Sequence, residues 1–150
     1  MMTFEFIKRI ILFGFIIATG FLSSCDLDQI ETKYANLELA KEDGFLEKGW
    51  IPSEIICESM TDIYLINNID LNTFAFSYLV AKKDLDSIKL QLSLKQINFE
   101  NPNRLDIPKW WIEKTRNMKF NLLISKERGD LVYVAIDSQK SQIFGFAKRI

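Results

Sequence analysis

The spacing of apolar and polar residues changes several times along this 150-residue chain, and each change predicts a different element. Ile10 to Leu22, IILFGFIIATGFL, is an uncharged apolar run. ETKYANLELAKEDG then sets Tyr34, Leu37 and Ala40 on one stripe and Glu38, Lys41 and Glu42 away from it, the period of an amphipathic helix. Asp28 and Glu31 have capping-box spacing before it, and Gly44 is placed to end it in the left-handed conformation. In GWIPSEI, Pro52 biases Ile51 towards an extended backbone, Gly49 permits a turn, and Trp50 is expected to plug a helix–sheet junction. MTDIYLI and TFAFSYLV read as strands, with Phe74, Phe76 and Tyr78 on one face. NNIDLN between them supplies turn-forming side chains, so Asp70 and Asn72 are read as turn residues of an antiparallel hairpin.

DLDSIKLQLSLKQI fits two periods. Ile88, Leu90, Leu92 and Leu94 alternate, but Leu85, Ile88 and Leu92 form a helical stripe, and helix is preferred with Asp84 or Asp86 as N-cap. NFENPNRLDIPKWW reads as loop, and KFNLLIS, LVYVAID and QIFGFAKR as three strands separated by ERGD and SQKS. The expected order is therefore α-β-β-α-β-β-β. That predicts an α+β fold: a small single domain over residues 32–150 with helices packed on one face of an antiparallel sheet.

The flanks of the first apolar run predict an address. Lys8 and Arg9 precede it, and it is shorter than the roughly 18–20 residues that cross a bilayer as a helix. Leu22-Ser23-Ser24-Cys25 resembles the bacterial lipobox, an apolar residue, two small residues and a cysteine. That resemblance implies a signal peptide over 1–24, cleavage between Ser24 and Cys25, lipid on Cys25, and a lipidated tether over 25–31. It also implies a palmitate-bearing lipoprotein held on the periplasmic face of a cell membrane, because several acyl chains anchor stably where one does not. Asp26 resembles an inner-membrane retention signal, with the outer membrane as the alternative.

With Cys25 assigned to lipid, Cys57 is the remaining thiol and no internal disulfide framework is expected. Charge is uneven: residues 26–70 hold 11 Asp/Glu against 3 Lys/Arg, and residues 71–150 hold 8 against 14. This is either a polarised surface that steers a charged partner or two halves whose charges intermix on folding. The basic half is not basic enough to argue for nucleic acid. The chain contains no histidine, which excludes Ser-His-Asp and Cys-His arrangements and zinc sites of the HExxH type. No cofactor and no metal are expected. Glu54 with Glu58, and Asp84 with Asp86, are near in sequence, but a glycosidase needs two carboxylates across one cleft, which sequence proximity does not supply. Trp110 and Trp111, beside Lys109 and Lys114, are the candidate partner-binding residues: on an extended backbone they cannot both point inward and an exposed Trp there would anchor a protein or a sugar, whereas a helix or turn could bury both.

YANLELAKEDGFLEKGWIPSEI, SMTDIYLINNIDLN, IPKWW and LVYVAID together resemble a family of small uncharacterised bacterial lipoproteins and exported proteins. Gly49, Trp50, Ile51, Pro52, Asp70 and Asn72 carry the resemblance, and the residues around Cys57 and Met60 depart from it, where Pro and Ala are usual. The family implies export and a shared fold without supplying a reaction. The expected function is a lipid-anchored, non-enzymatic envelope module that binds another envelope protein, in its sharpest form an inhibitor or immunity-type lipoprotein. The alternatives are a carboxylate-based enzyme acting on cell-wall sugar and a structural component of an envelope assembly.

Overall fold

The computed structural model describes residues 29–92, 96–97, 107–125 and 128–148. Among these, seven strands form one antiparallel sheet: β1 (Gln29–Asn36), β2 (Thr61–Asn68), β3 (Thr73–Leu79), β4 (Gln96–Ile97), β5 (Phe120–Ile124), β6 (Leu131–Asp137) and β7 (Gln142–Lys148). Their spatial order is β1-β2-β3-β7-β6-β5-β4. Three helices accompany them among the described residues, α1 (Leu37–Glu42), α2 (Lys82–Leu92) and α3 (Lys109–Thr115), with 3₁₀ turns at Leu46–Lys48 and Ser53–Ile55. No described helix is long and apolar enough to cross a membrane.

This overturns the expected α-β-β-α-β-β-β order and the one-sided arrangement of helices. The chain enters as a strand, and β1 begins at Gln29, inside the stretch expected to be tether. Ile30, Thr32 and Tyr34 alternate with Glu31 and Lys33, and β1 pairs with β2 from Gln29↔Asn68 to Asn36↔Thr61. The helical stripe is real only beyond that point. Asn36, extended at φ −154°, accepts from the Leu39 N–H at 3.0 Å and starts a six-residue α1 that buries Leu37 and Ala40. Tyr34 fits the helix period by coincidence, because positions 34, 37 and 40 straddle the junction.

The second correction concerns the layers. Phe74, Phe76 and Tyr78 share one sheet face, as expected, and stack with ring centroids 6.4 and 6.0 Å apart. Onto this face pack Leu37 and Ala40 of α1, Ile55 of the second 3₁₀ turn, and Leu85, Ile88 and Leu92 of α2. The opposite face is also covered. There Trp111 of α3, with Ile107, packs on Ala75, Phe120, Ala135, Phe144 and Phe146. IPKWW is therefore not loop. Pro108 is pre-organised at φ −57°, and its carbonyl accepts from Trp111 N–H at 3.0 Å, opening a one-turn-plus helix that turns its second tryptophan inward. A sheet apolar on both faces must be covered twice, so the helices divide between them.

Other expectations hold. The β2–β3 hairpin turns where read, with Asn68 Oδ1 accepting from Leu71 N–H at 2.9 Å and Asn72 at φ +53°. Gly44 is left-handed, at φ +65°. β5, β6 and β7 follow in the expected order, and the missed β4 contributes two residues beside β5. At the sheet's centre Gly145 faces Phe76 across the β3–β7 ladder, and a Cβ there would lie 1.9 Å from Phe76 Cζ. Only glycine lets this ring lie flat on the neighbouring strand.

Candidate functional site

Ser24 and Cys25 lie outside the described residues, so the site can be built only from the folded part. Of the two expected partner-binding residues, Trp111 is fully buried, its ring 5.3 Å from Phe120 and 5.9 Å from Phe146. It is a core residue, as the helical alternative allows, while Trp110 stays at the margin, because a helical turn separates neighbouring side chains by about 100°. Trp110 is half-buried, edge-on to Tyr64 at 5.2 Å. Trp50, expected at a junction, packs edge-on to Phe45 at 5.9 Å beneath the Lys48 ammonium.

The other sequence-level candidates settle into structural roles. Ser59 Oγ accepts from Ala81 N–H at 2.9 Å and donates to Asp84 Oδ2 at 2.5 Å, so a distant hydroxyl ties down the start of α2. Asp84 answers that hydroxyl rather than capping its own helix. Cys57 lies 3.6 Å from Ser59 Oγ, and its thiol is raised above its ordinary value by burial, which keeps it in the inert thiol form. Tyr78 is fully buried, and its hydroxyl donates to the Ile55 carbonyl at 2.6 Å. Among the described residues no group of three or more acidic, cysteine or histidine side chains could hold a metal ion.

A broad concavity lies elsewhere, between the end of α3, the start of β5 and the β6–β7 turn. It is an open cleft of about 830 Å³. Lys89, Lys114, Arg116 and Lys119 bring four positive charges to it, against Glu113 and Asp137. Asp137 is already committed: its Oδ1 accepts from the N–H groups of Gln139 and Lys140, and its Oδ2 is 4.0 Å from Lys140 Nζ. Lys89 is 4.0 Å from Asp86. Asn121 of β5 also lines it, 9% exposed, and its buried Oδ1 has no hydrogen-bond partner among the described residues. The local reason is register. Asn121 pairs with Val134 and so points to the same face as Val134 and Phe76, at the strand end where apolar cover from α2 gives way to the cleft.

The sequence reading missed this site. The K-x-R-x-x-K run from Lys114 to Lys119 and the basic excess of residues 71–150 were visible, but nothing in the sequence brings Lys89 or the 137–139 turn to the same place. Every residue lining the cleft falls between 89 and 139, so the acidic stretch 26–70 brings no carboxylate to it among the described residues.

Residues 28–78, about a third of the chain, match the family model described as the YbbD head domain. The match spans β1, α1, both 3₁₀ turns, β2 and nearly all of β3, including Gly49, Trp50, Ile51, Pro52, Asp70 and Asn72. It supports the resemblance of that stretch to a small uncharacterised bacterial family. The lipobox-like segment, the Trp110-Trp111 helix and the basic cleft all lie outside it. Comparison with curated proteins and with solved structures returns no match. The segment 28–78 is similar to the YbbD head domain, and the cleft is what this chain adds beyond that segment.

Proposed function

We propose that this chain is a lipid-anchored protein of the bacterial cell envelope whose folded part binds another envelope protein without catalysing a reaction. The single observation that carries the reading is the placement of the cleft. Gln29 opens β1 opposite Asn68, so the chain arrives from Cys25 at the β2–β3 hairpin end of the sheet. The register runs Gln29–Asn68–Thr73–Lys148–Leu131 along that end and Asn36–Thr61–Leu79–Gln142–Asp137 along the other. The basic cleft is at the second end, about 20 Å away by the rise of a seven-residue strand. Lipid on Cys25 would hold the hairpin end at the membrane and turn the cleft outward. Ile69 and Leu71, 60% and 41% exposed in the hairpin turn, suit the membrane-facing side.

The cell-wall-sugar enzyme gains little support. Glu113 and Asp137 share the cleft, but Asp137 is taken by turn N–H groups, and glycoside cleavage needs two carboxylates free to act. An inhibitor or immunity role remains the sharpest form of the binding reading, supported by small size, anchoring and charge polarity.

The anchor is tested with labelled palmitate. Wild type should incorporate label and sediment with membranes, whereas Cys25→Ala should do neither. A variant that is still labelled overturns the anchor. Binding is tested by crosslinking in intact cells followed by purification of the chain. A stoichiometric envelope protein is expected, and the free chain alone would reject the binding reading.

A further inference from the structure

The two ends of the sheet expose different side chains. Six large apolar residues are exposed among the described residues: Ile30, Leu39, Ile69, Leu71, Leu90 and Ile124. Leu39 and Leu90 sit on α1 and α2, and the other four gather at the end of the sheet where β1 begins. Ile69 and Leu71 project in the β2–β3 turn, beyond the rung that pairs Gln29 with Asn68. Ile30 is one rung in, opposite Asn67, and Ile124 pairs with Leu131 on the far side of the same end. The hairpin tip is also built for a dry setting. Leu71 N–H donates to Asn68 Oδ1 at 2.9 Å, and Asn72 N–H donates to the Ile69 carbonyl at 3.2 Å. These backbone groups need no water, which is the condition for backbone that leaves water for lipid.

The length of chain before β1 decides what the tip meets. Four Cα–Cα steps separate Cys25 from Gln29, a span of at most about 14 Å. Lipid on Cys25 places that residue at a bilayer surface. The β1 end of the sheet then stands no farther away than the span, and the hairpin tip reaches past Gln29. We propose that the hairpin tip, through Ile69 and Leu71, embeds in the surface of the bilayer that holds the Cys25 lipid. This rests on the anchored reading above and adds a second membrane contact, which fixes the orientation that a flexible tether alone leaves free. Asp70 between the two apolar residues sets the depth. Its carboxylate keeps its hydration among the headgroups, so the tip rests at the headgroup–acyl boundary and not in the hydrocarbon core.

The test uses the full-length, acylated chain reconstituted in phosphatidylcholine vesicles. Cys57→Ser leaves no other free thiol, because the Cys25 sulfur carries lipid, and a fluorophore is placed at Ile69→Cys or, at the opposite end, at Gln139→Cys. Phosphatidylcholine brominated on its acyl chains quenches only on near contact. It should dim the label at 69 by about twofold or more and leave the label at 139 unchanged. Ile69→Ser with Leu71→Ser should free the domain to reorient, so the residual anisotropy of the 139 label falls by about half. Palmitate incorporation and the melting temperature in detergent should not change, because both side chains are exposed. Equal quenching at 69 and 139, or undiminished anisotropy in the double variant, overturns the proposal. So does a photocrosslinker at 69 that captures an envelope protein stoichiometrically in cells, which assigns the tip to a protein partner. Wild type without palmitate rejects the anchored reading itself, whereas palmitate with an unquenched tip rejects the tip contact alone.

Discussion

Tyr78 and Asn121 both carry a polar group into the interior of the same sheet face, and the fold treats them in opposite ways. The Tyr78 hydroxyl is fully buried and donates to the Ile55 carbonyl at 2.6 Å, locking the second 3₁₀ turn onto β3. Burial also holds its phenol well above its ordinary value, so it stays a donor. Asn121, nearly as buried, leaves its oxygen without a donor at the edge of a cationic cleft. A satisfied buried group specifies a structure. An unsatisfied one instead costs about 1–3 kcal/mol of desolvation, so the two groups should respond to removal with opposite sign.

Substitutions separate the two groups. The largest effect belongs to the packed seam that supports Tyr78. Gly145→Ala drives a methyl into the Phe76 ring and should lower stability by about 3 kcal/mol, read by denaturant unfolding. Tyr78→Phe leaves the Ile55 carbonyl without that donor and should cost about 2 kcal/mol. At Asn121 the sign should reverse. Asn121→Leu removes an unmet acceptor and should stabilise by about 1 kcal/mol in the absence of ligand. If it destabilises as much as Tyr78→Phe does, the two groups are equivalent and the contrast fails. Smaller still, Lys114→Ala or Lys119→Ala should leave the stability of the free protein within about 0.5 kcal/mol.

A pH titration adds a control away from both sites. Burial, with the hydrogen bond to Asp43 and that carboxylate's charge, pushes the Tyr34 phenol up to about 12. The folded chain therefore holds the proton more tightly than the unfolded one. The stabilisation it brings is complete below about pH 10 and is lost as pH rises towards 12. Tyr34→Phe should flatten that part of the alkaline unfolding curve and leave stability at neutral pH unaffected by pH in the same way as wild type.

Much of the fold was legible because short-range chemistry decides it. Alternation in TFAFSYLV put Phe74, Phe76 and Tyr78 on one face, the Leu85–Ile88–Leu92 stripe made α2, and Asn72 and Gly44 turned where expected. β1 was misread because a short amphipathic segment can satisfy either period, and its pairing with β2 overrode helix propensity. Trp110-Trp111 was open between two outcomes because an extended backbone and a helix point neighbouring side chains differently, and the helix after Pro108 buried Trp111.

By itself, the sequence determined β2, β3, α2 and the last three strands, the hairpin, the absence of histidine chemistry, the charge excess of residues 71–150 and the expectation of lipid on Cys25. Only the tertiary structure decided that the sheet is covered on both faces, that Trp111 is core, and that Lys89, Lys114, Arg116 and Lys119 line one cleft with Asn121. The physical reason is that local preference reads a few neighbours, whereas the cleft joins residues up to 50 positions apart whose proximity depends on strand order and on which helix covers which face.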